Sequence, residues 1–240
     1  MRGLTPDLLL SAYAVGMFPM ANDHDDPTIH WIEPRRRGVL PLDGFHVPRS
    51  LRKAIRRRQE DLRVDTAFET VIRGCAEATA ERPRTWLNEE LIGLYLELHR
   101  RGHAHSVETW QDGRLVGGLY GVRLGAAFFG ESMFSRVRDA SKMALVELVC
   151  RLRAGGFVLL DTQFTTEHLE RFGAIEISRA EYLRQLRRAL ALPASFPADP
   201  YPFAWGGLGG GSGTSGPGAS GSGASGSGSK GSAQSITHTS

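Results

Sequence analysis

Two acidic residues stand where a carboxylate is costly unless it is paired or has a function. Glu131 follows two aromatic residues in Phe128–Ser132, and Asp161 ends an apolar run (FVLLD) two residues before Gln163. Burial or a neighbouring charge shifts the pKa of such groups. The two acids predict acid–base chemistry or polar substrate binding at two strand ends. Simpler interpretations are that Glu131 pairs with an arginine such as Arg136 and that Asp161 only caps the next turn.

Other reactive side chains give weaker signals. His105 and Ser106 are neighbours in sequence, which is not a catalytic triad, and His168 is a weak candidate for a general base. The cysteines Cys75 and Cys150 form no CxxC motif, and no group of His and Cys has the spacing of a metal site. We therefore expect no metal, and a reducing compartment with the cytoplasm as the default.

Two tryptophans differ from the aromatic residues that core packing explains. Trp31 and Trp86 each lie in an extended stretch beside Pro or Thr, and not in the apolar stripe of a helix. They are therefore candidates for the wall of a substrate pocket, whereas most of the phenylalanines are typical of a core.

Positive charge is concentrated in one stretch, although the chain carries a formal net charge of only +3. Between Pro34 and Arg63 there are ten Lys and Arg residues and three acids, and many of the cations fall on a helix expected over residues 49–58. No apolar face accompanies this charge, which favours a nucleic acid over a membrane as the anionic partner. A solvated helix face is the alternative.

The order of predicted elements indicates an α+β fold. From Asn88 the order is helix, three strands, helix, strand, helix, strand, helix, with the three strands over residues 104–135 and a hairpin turn at Asp112-Gly113. This order predicts a mixed sheet with flanking helices, and at the level of fold it matches the GNAT-like acyltransferases. We divide the chain into a smaller N-terminal α/β domain with a basic helix (1–65), a GNAT-like catalytic domain (66–204) and a disordered Gly/Ser-rich tail (205–240).

The loop that would bind coenzyme A is missing from the expected position. Acetyl-CoA-dependent enzymes of this fold hold the pyrophosphate with a glycine-rich loop at a helix N-terminus. Here the link from Ser132 to Ala140 contains no glycine. The sequence therefore favours another kind of acyl donor, and we expect no cofactor. A GNAT-like acetyltransferase stays an alternative.

Motifs spread from Leu8 to Leu190 carry a stronger signal than any single residue. They are Gly16-x-Phe18-Pro19, Arg37-Gly38-Val39-x-Pro41, Phe45-His46-Val47-x-Arg49-Ser50-Leu51, Thr85-Trp86, His103–Glu108, Leu115–Val122, Phe129–Ser135, Ala140-Ser141-Lys142 and Asp161-x-Gln163. In this order they resemble the leucyl/phenylalanyl-tRNA–protein transferase family. Two positions depart from its pattern: Met20 stands where many members have Trp, and Trp31 is single where some members have two.

The resemblance implies an aminoacyltransferase. Such an enzyme takes Leu or Phe from its charged tRNA and joins it to a protein whose N-terminus is Arg or Lys, which marks the product for degradation by the N-degron route. The family has a GNAT-like C-terminal domain behind a smaller N-terminal one, and it works without metal or CoA. We expect a monomer with no membrane partner. A non-catalytic tRNA-binding module is the other alternative.

The resemblance also implies roles for individual residues. Asp161 and Gln163 would deprotonate and hold the acceptor's α-amino group, and either could be the immediate proton acceptor. Glu131 would bind the acceptor's Arg or Lys side chain or, alternatively, the donor's amino group. The donor's side chain would lie in a pocket with Trp31, Trp86, Phe128, Gly130 and Met133. The tRNA phosphates would contact Arg35, Arg36, Arg37, Arg49, Arg52, Lys53 and Arg56.

Overall fold

The computed structural model describes residues 4–57, 61–78 and 84–199. The tail predicted for residues 205–240 and the end of the predicted helix at residue 58 lie outside them. The elements are α1 (Pro6–Ala14), β1 (Phe18–Ala21), β2 (Ile29–Ile32), β3 (Arg36–Val39), α2 (Arg49–Arg57), β4 (Asp61–Val64), α3 (Phe68–Ala76), α4 (Glu89–Arg100), β5 (Ala104–Gln111), β6 (Arg114–Leu124), β7 (Ala127–Ser135), α5 (Ala140–Ala154), β8 (Leu159–Gln163), α6 (Glu167–Glu170), β9 (Ile175–Ser178) and α7 (Arg179–Leu190).

A seven-stranded sheet in the order β4-β5-β6-β7-β8-β3-β9 forms the centre of the fold. All neighbouring strands are antiparallel except β7 and β8, which run parallel. This arrangement confirms the predicted α+β class with a mixed sheet between helices. Among the described helices, none has both the length and the apolar character needed to cross a membrane.

Helices cover both faces of the sheet and divide the apolar interior into two clusters. On one face, α1, α3, α4 and α7 contribute buried residues such as Tyr13, Ile72, Leu91 and Leu186. On the other face, the long helix α5 packs with α2, whose Leu51 is its buried anchor. Because α5 is covered by the sheet on one side and by other elements elsewhere, nearly all of its side chains from Ala140 to Leu152 are buried.

The N-terminal part of the chain contributes to two different structures. Helix α1 begins after a cap at Thr5, whose side chain accepts a hydrogen bond from the Leu8 N–H, and a two-stranded sheet of β1 and β2 follows. Strand β3 then lies between β8 and β9 in the large sheet, and β4 forms its opposite edge. Strands from both sides of the boundary predicted at residues 65 and 66 share one sheet, and the domain division stays a prediction.

Candidate active site

A cavity of about 330 Å³ opens where β7 and β8 stop pairing. Their parallel register ends at Phe129 and Asp161, so the residues beyond these two line an opening between the strands. The polar part of the wall consists of Gly130, Glu131, Ser132, Thr162, Gln163, Thr166 and His168. The apolar part consists of Phe18, Pro19, Met20, Trp86, Leu119, Met133, Leu145, Leu148, Leu160, Phe164 and Leu169. This combination is typical of a site that binds an apolar group and fixes it with a few polar contacts.

A β-bulge sets the direction of the Glu131 side chain. Between β6 and β7, Tyr120 lies opposite Ser132 and Gly121 lies opposite Gly130, so Glu131 is an extra residue without a partner in the ladder. A bulge breaks the alternation of side chains along a strand and often reorients a residue at an active site. Gly121 makes this geometry possible, because a Cβ there would lie 2.3 Å from the carbonyl oxygen of Phe129.

Glu131 is bound by three neutral donors. Tyr13 of α1 donates to Oε1 over 2.7 Å, Tyr95 of α4 lies 3.1 Å from Oε2, and Gln163 Nε2 donates to Oε1 over 3.2 Å. The predicted alternative of an ion pair with Arg136 is wrong, because that arginine instead pairs with Glu77. The structure therefore brings Glu131 and Gln163 to one shared site.

The surroundings of Glu131 raise the pKa of its carboxyl to about 7. Burial is the largest cause, and the negative charge of Asp161 adds to it, while the hydrogen bonds from Tyr13 and Tyr95 and the positive charge of Arg37 oppose it. A carboxyl with a pKa near 7 exchanges protons readily at neutral pH. Glu131 is thus suited to take up a proton from a bound substrate.

Asp161 lies behind the cavity wall, in a closed arrangement of partners. Its side chain is 0% exposed, and Arg37 binds it through Nη2–Oδ2 at 2.7 Å and Nε–Oδ1 at 2.9 Å. The Tyr182 hydroxyl donates to Oδ2 over 2.6 Å, and the backbone N–H of Gln163 donates to Oδ1 over 2.8 Å. Asp161 therefore caps the next turn, as the simpler interpretation of the sequence proposed. It also forms a buried ion pair with Arg37.

Gln163 is held in a conformation that few residues with a side chain adopt. Its φ is +57°. The backbone N–H of Phe164 continues the turn, because it donates a hydrogen bond to the carbonyl oxygen of Thr162 over 2.6 Å. The turn passes so close to β3 that a Cβ on Gly38 would lie 2.4 Å from the carbonyl carbon of Phe164. Gly38 and the carboxylate of Asp161 thus hold Gln163 toward Glu131, and such local strain is common at functional sites.

Three of the five predicted pocket residues line the cavity, namely Trp86, Gly130 and Met133. Phe128 does not, because its side chain is 0% exposed and packs in the α5-side cluster against Phe196. Trp31 is also absent from the wall, since it lies in β2 opposite Pro19, and it is Pro19 that reaches the cavity.

Sequence reasoning missed most of the apolar wall and the place of His168. Leu145 and Leu148 come from α5, and residues 18–20 come from β1. The motif Gly16-x-Phe18-Pro19 was a signal for that segment. His168 also lines the cavity, and burial there lowers the pKa of its imidazole.

The predicted cationic surface loses one member. Arg37 is 1% exposed, and its guanidinium lies 4.6 Å from the ring centres of both Phe18 and Tyr182, so it has no surface to offer a phosphate. The position of Arg37 in a basic run gave no indication that its side chain is buried. The other predicted cations are at least partly exposed: Arg35, Arg36, Arg49, Arg52, Lys53 and Arg56.

Comparisons with known proteins match nearly the whole described chain. The model of the leucyl/phenylalanyl-tRNA protein transferase N-terminal domain matches residues 2–35, and that of the leucyl/phenylalanyl-tRNA protein transferase matches residues 39–187. A protein of Paramagnetospirillum magneticum (strain ATCC 700264 / AMB-1), named leucyl/phenylalanyl-tRNA–protein transferase, is 64% identical over 196 residues. That similarity covers 82% of this chain and 94% of the relative.

Proposed function

The chain belongs to the leucyl/phenylalanyl-tRNA–protein transferase family, and we propose that it moves Leu or Phe from aminoacyl-tRNA to the N-terminal Arg or Lys of acceptor proteins. The transfer would mark these proteins for degradation by the N-degron route. The enzyme would act in the cytoplasm as a monomer. One observation carries the proposal: Glu131, whose carboxyl has a pKa near 7, lies beside Gln163 in the wall of an apolar cavity.

The cavity suits the side chain of the donor. About 330 Å³ of space is lined mainly by Leu, Met and aromatic residues, which favours an apolar side chain over a polar one. Leu and Phe share apolarity and approximate size but differ in shape. Because an apolar pocket separates such groups by only about 1–3 kcal/mol per methylene, acceptance of both donors is physically reasonable.

The acceptor's amino group needs a base. The aminoacyl ester is already activated, but an α-amino group has a pKa of about 7.7–8.0 and is largely protonated at neutral pH. Glu131 would take this proton, because its carboxyl has a pKa of about 7 and because Glu131 lines the cavity. Gln163 donates its amide N–H to Glu131, which leaves its amide oxygen to accept an N–H of the amine.

Asp161 would then be a positioning residue. Both of its oxygens are occupied by Arg37, Tyr182 and the Gln163 N–H, and its side chain is fully buried. Direct contact with the substrate is therefore disfavoured for Asp161. Its charge and its bond to the backbone N–H hold Gln163 in the strained conformation that faces the amine.

The exposed cations would contact the tRNA phosphates. Arg49, Lys53 and Arg56 are exposed on α2, whose buried side consists of little more than Leu51. A surface of this kind binds nucleic acid through counterion release, so binding weakens as the salt concentration rises. The non-catalytic alternative explains these cations, but it gives no reason for a base with a pKa near 7 in an apolar cavity.

A two-peptide experiment tests the proposal. The protein is mixed with Phe-tRNA and two peptides that differ only in an N-terminal Arg or Ala. Transfer of Phe to the Arg peptide alone is expected. Transfer to neither peptide would refute the proposed reaction, and equal transfer to both would refute the proposed acceptor specificity.

A further inference from the structure

Three oxygen-bearing groups meet in a closed triangle at the base of the cavity. Tyr13 Oη lies 2.7 Å from Glu131 Oε1 and 2.8 Å from Tyr95 Oη, and Tyr95 Oη lies 3.1 Å from Glu131 Oε2. Both tyrosines are fully buried, on helices α1 and α4, so water does not satisfy their hydroxyls from outside. Each side of the triangle is within hydrogen-bond distance or at its upper limit for two oxygens.

The number of protons in this triangle depends on the charge of Glu131. Each tyrosine hydroxyl carries one proton, and an ionised carboxylate carries none, so the ionised triangle has two protons for three contacts. One contact must then bring two oxygens together without a hydrogen between them. The proton of Tyr13 occupies the shortest contact, to Oε1, and the proton of Tyr95 can fill only one of the other two.

We propose that Tyr13, Tyr95 and Glu131 form a ring of three hydrogen bonds that closes when Glu131 takes up a proton. In the closed ring, Oε2 of Glu131 donates to Tyr95, Tyr95 donates to Tyr13, and Tyr13 donates to Oε1. Every contact then has one proton. The ring makes the two tyrosines positioning residues that stabilise the neutral carboxyl, and so make Glu131 a better proton acceptor.

The charged and titratable neighbours do not supply this preference on their own. Asp161 of β8 and Arg37 of β3 act on Glu131 with opposite signs, and they are paired with each other. From β6, the Tyr120 ring packs against Tyr95 at a centroid distance of 5.3 Å. Burial favours the neutral carboxyl in general, whereas the triangle gives its proton a specific place.

The catalytic meaning of the ring rests on the proposed function. When the acceptor's α-ammonium loses a proton, an N–H bond breaks and an O–H bond forms on Glu131, which becomes neutral. The free amine then attacks the ester carbonyl, the bond from that carbon to the tRNA oxygen breaks, and a second proton passes from the nitrogen to this oxygen. The net reaction releases one proton, which the ring holds until it returns to solvent.

Glu131→Gln is an isosteric test, because the amide mimics the protonated carboxyl. Its N–H can donate to Tyr95 while its oxygen accepts from Tyr13, so the ring is closed at every pH. In the wild type, protonation of Glu131 stabilises the folded state. This contribution is complete below the unfolded pKa of 4.5 and is lost progressively as the pH rises to the folded pKa of about 7. The stability of the variant relative to the wild type, measured by urea unfolding, should therefore increase with pH and level off near pH 7.

Tyr95→Phe separates the ring from a simpler arrangement in which Tyr95 only donates to the carboxylate. If Tyr95 accepts the carboxyl proton, its loss lowers the pKa of Glu131, and the levelling-off moves down by about half a pH unit or more. If Tyr95 only donates, its loss moves this point up, which would overturn the ring. Tyr182→Phe is the matched control, because it removes a buried hydroxyl that donates to the Arg37-paired Asp161 and should leave this point unchanged.

Two further outcomes bear on the proposal. A difference between the wild type and Glu131→Gln that does not change between pH 4.5 and 8.5 would overturn it. If Tyr95→Phe does not fold, the infrared band of the protonated carboxyl that Glu131→Gln lacks tests the ring instead. Its frequency should be that of a carboxyl whose O–H donates a hydrogen bond, and the frequency of a carboxyl with a free O–H would overturn the ring. Unfolding needs no substrate, so failure of the peptide-transfer experiment would refute the function and leave the ring intact.

Discussion

Replacing Arg37 with Met should destabilise the protein strongly, because it leaves the carboxylate of Asp161 without its cation. The two side chains are 1% and 0% exposed and share contacts of 2.7, 2.9 and 3.1 Å. Breaking a buried ion pair by removing one partner costs about 3–5 kcal/mol. The remaining donors, Tyr182 and the Gln163 N–H, are neutral and replace only part of the lost interaction.

Urea unfolding measures this loss against a matched neighbour. With an m value of about 2–3 kcal/mol/M, the expected loss lowers the urea midpoint by about 1–2.5 M. Arg36→Met is the control, since Arg36 is 61% exposed and pairs with the exposed Glu176. An exposed pair of this kind contributes about 0–1 kcal/mol.

Replacing both members of the buried pair tests the same reasoning from the other side. Arg37→Met combined with Asp161→Leu removes the uncompensated charge, so it should recover much of the stability that Arg37→Met loses. It should not recover transfer, because the Gln163 N–H has lost its carboxylate. Equal costs for Arg37→Met and Arg36→Met, or no recovery in the double variant, would refute the buried ion pair.

Three other changes test the cavity and the surface. Gly38→Ala should lower the rate of transfer by about tenfold or more, because its Cβ would lie 2.4 Å from Phe164 and displace the turn. Gly44→Ala is the control in the same kinetic assay, since the nearest atom to its Cβ lies 3.6 Å away and little effect is expected. Leu148 lines the cavity, so the larger side chain of Leu148→Trp fills part of the space. This variant should reduce transfer of Phe more than transfer of Leu, measured as kcat/KM for each charged tRNA. Lys53→Glu should weaken tRNA binding and reduce the salt dependence of binding by about one phosphate contact in a filter-binding titration; an unchanged salt dependence would remove α2 from the tRNA surface.

Local signals in the sequence account for the starts of several helices and for one hairpin turn. The side chains of Thr5, Asn88 and Ser178 each accept a hydrogen bond from the backbone N–H three residues on, as caps that begin α1, α4 and α7. Asp112 and Gly113 both have positive φ in the predicted hairpin turn. These features depend on neighbouring residues alone, so a single sequence contains them.

The site could be predicted only in part, because its geometry depends on contacts between distant segments. Arg37 belongs to a run of three arginines, and charge composition does not indicate that this one points inward between Phe18 and Tyr182. Its partner Asp161 is 124 residues away, and only the placement of β3 beside β8 brings them together. Likewise, the bulge at Glu131 depends on register against β6, which periodicity does not reveal.

The pH dependence of a single round of transfer tests the central claim, that Glu131 takes the proton of the acceptor's amine. The measurement uses Phe-tRNA, an Arg peptide, and wild-type protein or Glu131→Gln between pH 5.5 and 9. The wild-type rate should rise with pH around a midpoint near 7, because only the ionised carboxylate accepts a proton. At pH 7 the variant should be slower by about 10²-fold or more, with a gap that narrows near pH 8, where the α-ammonium loses its proton to solvent without a base. A variant that keeps the wild-type rate at pH 7 would contradict the claim.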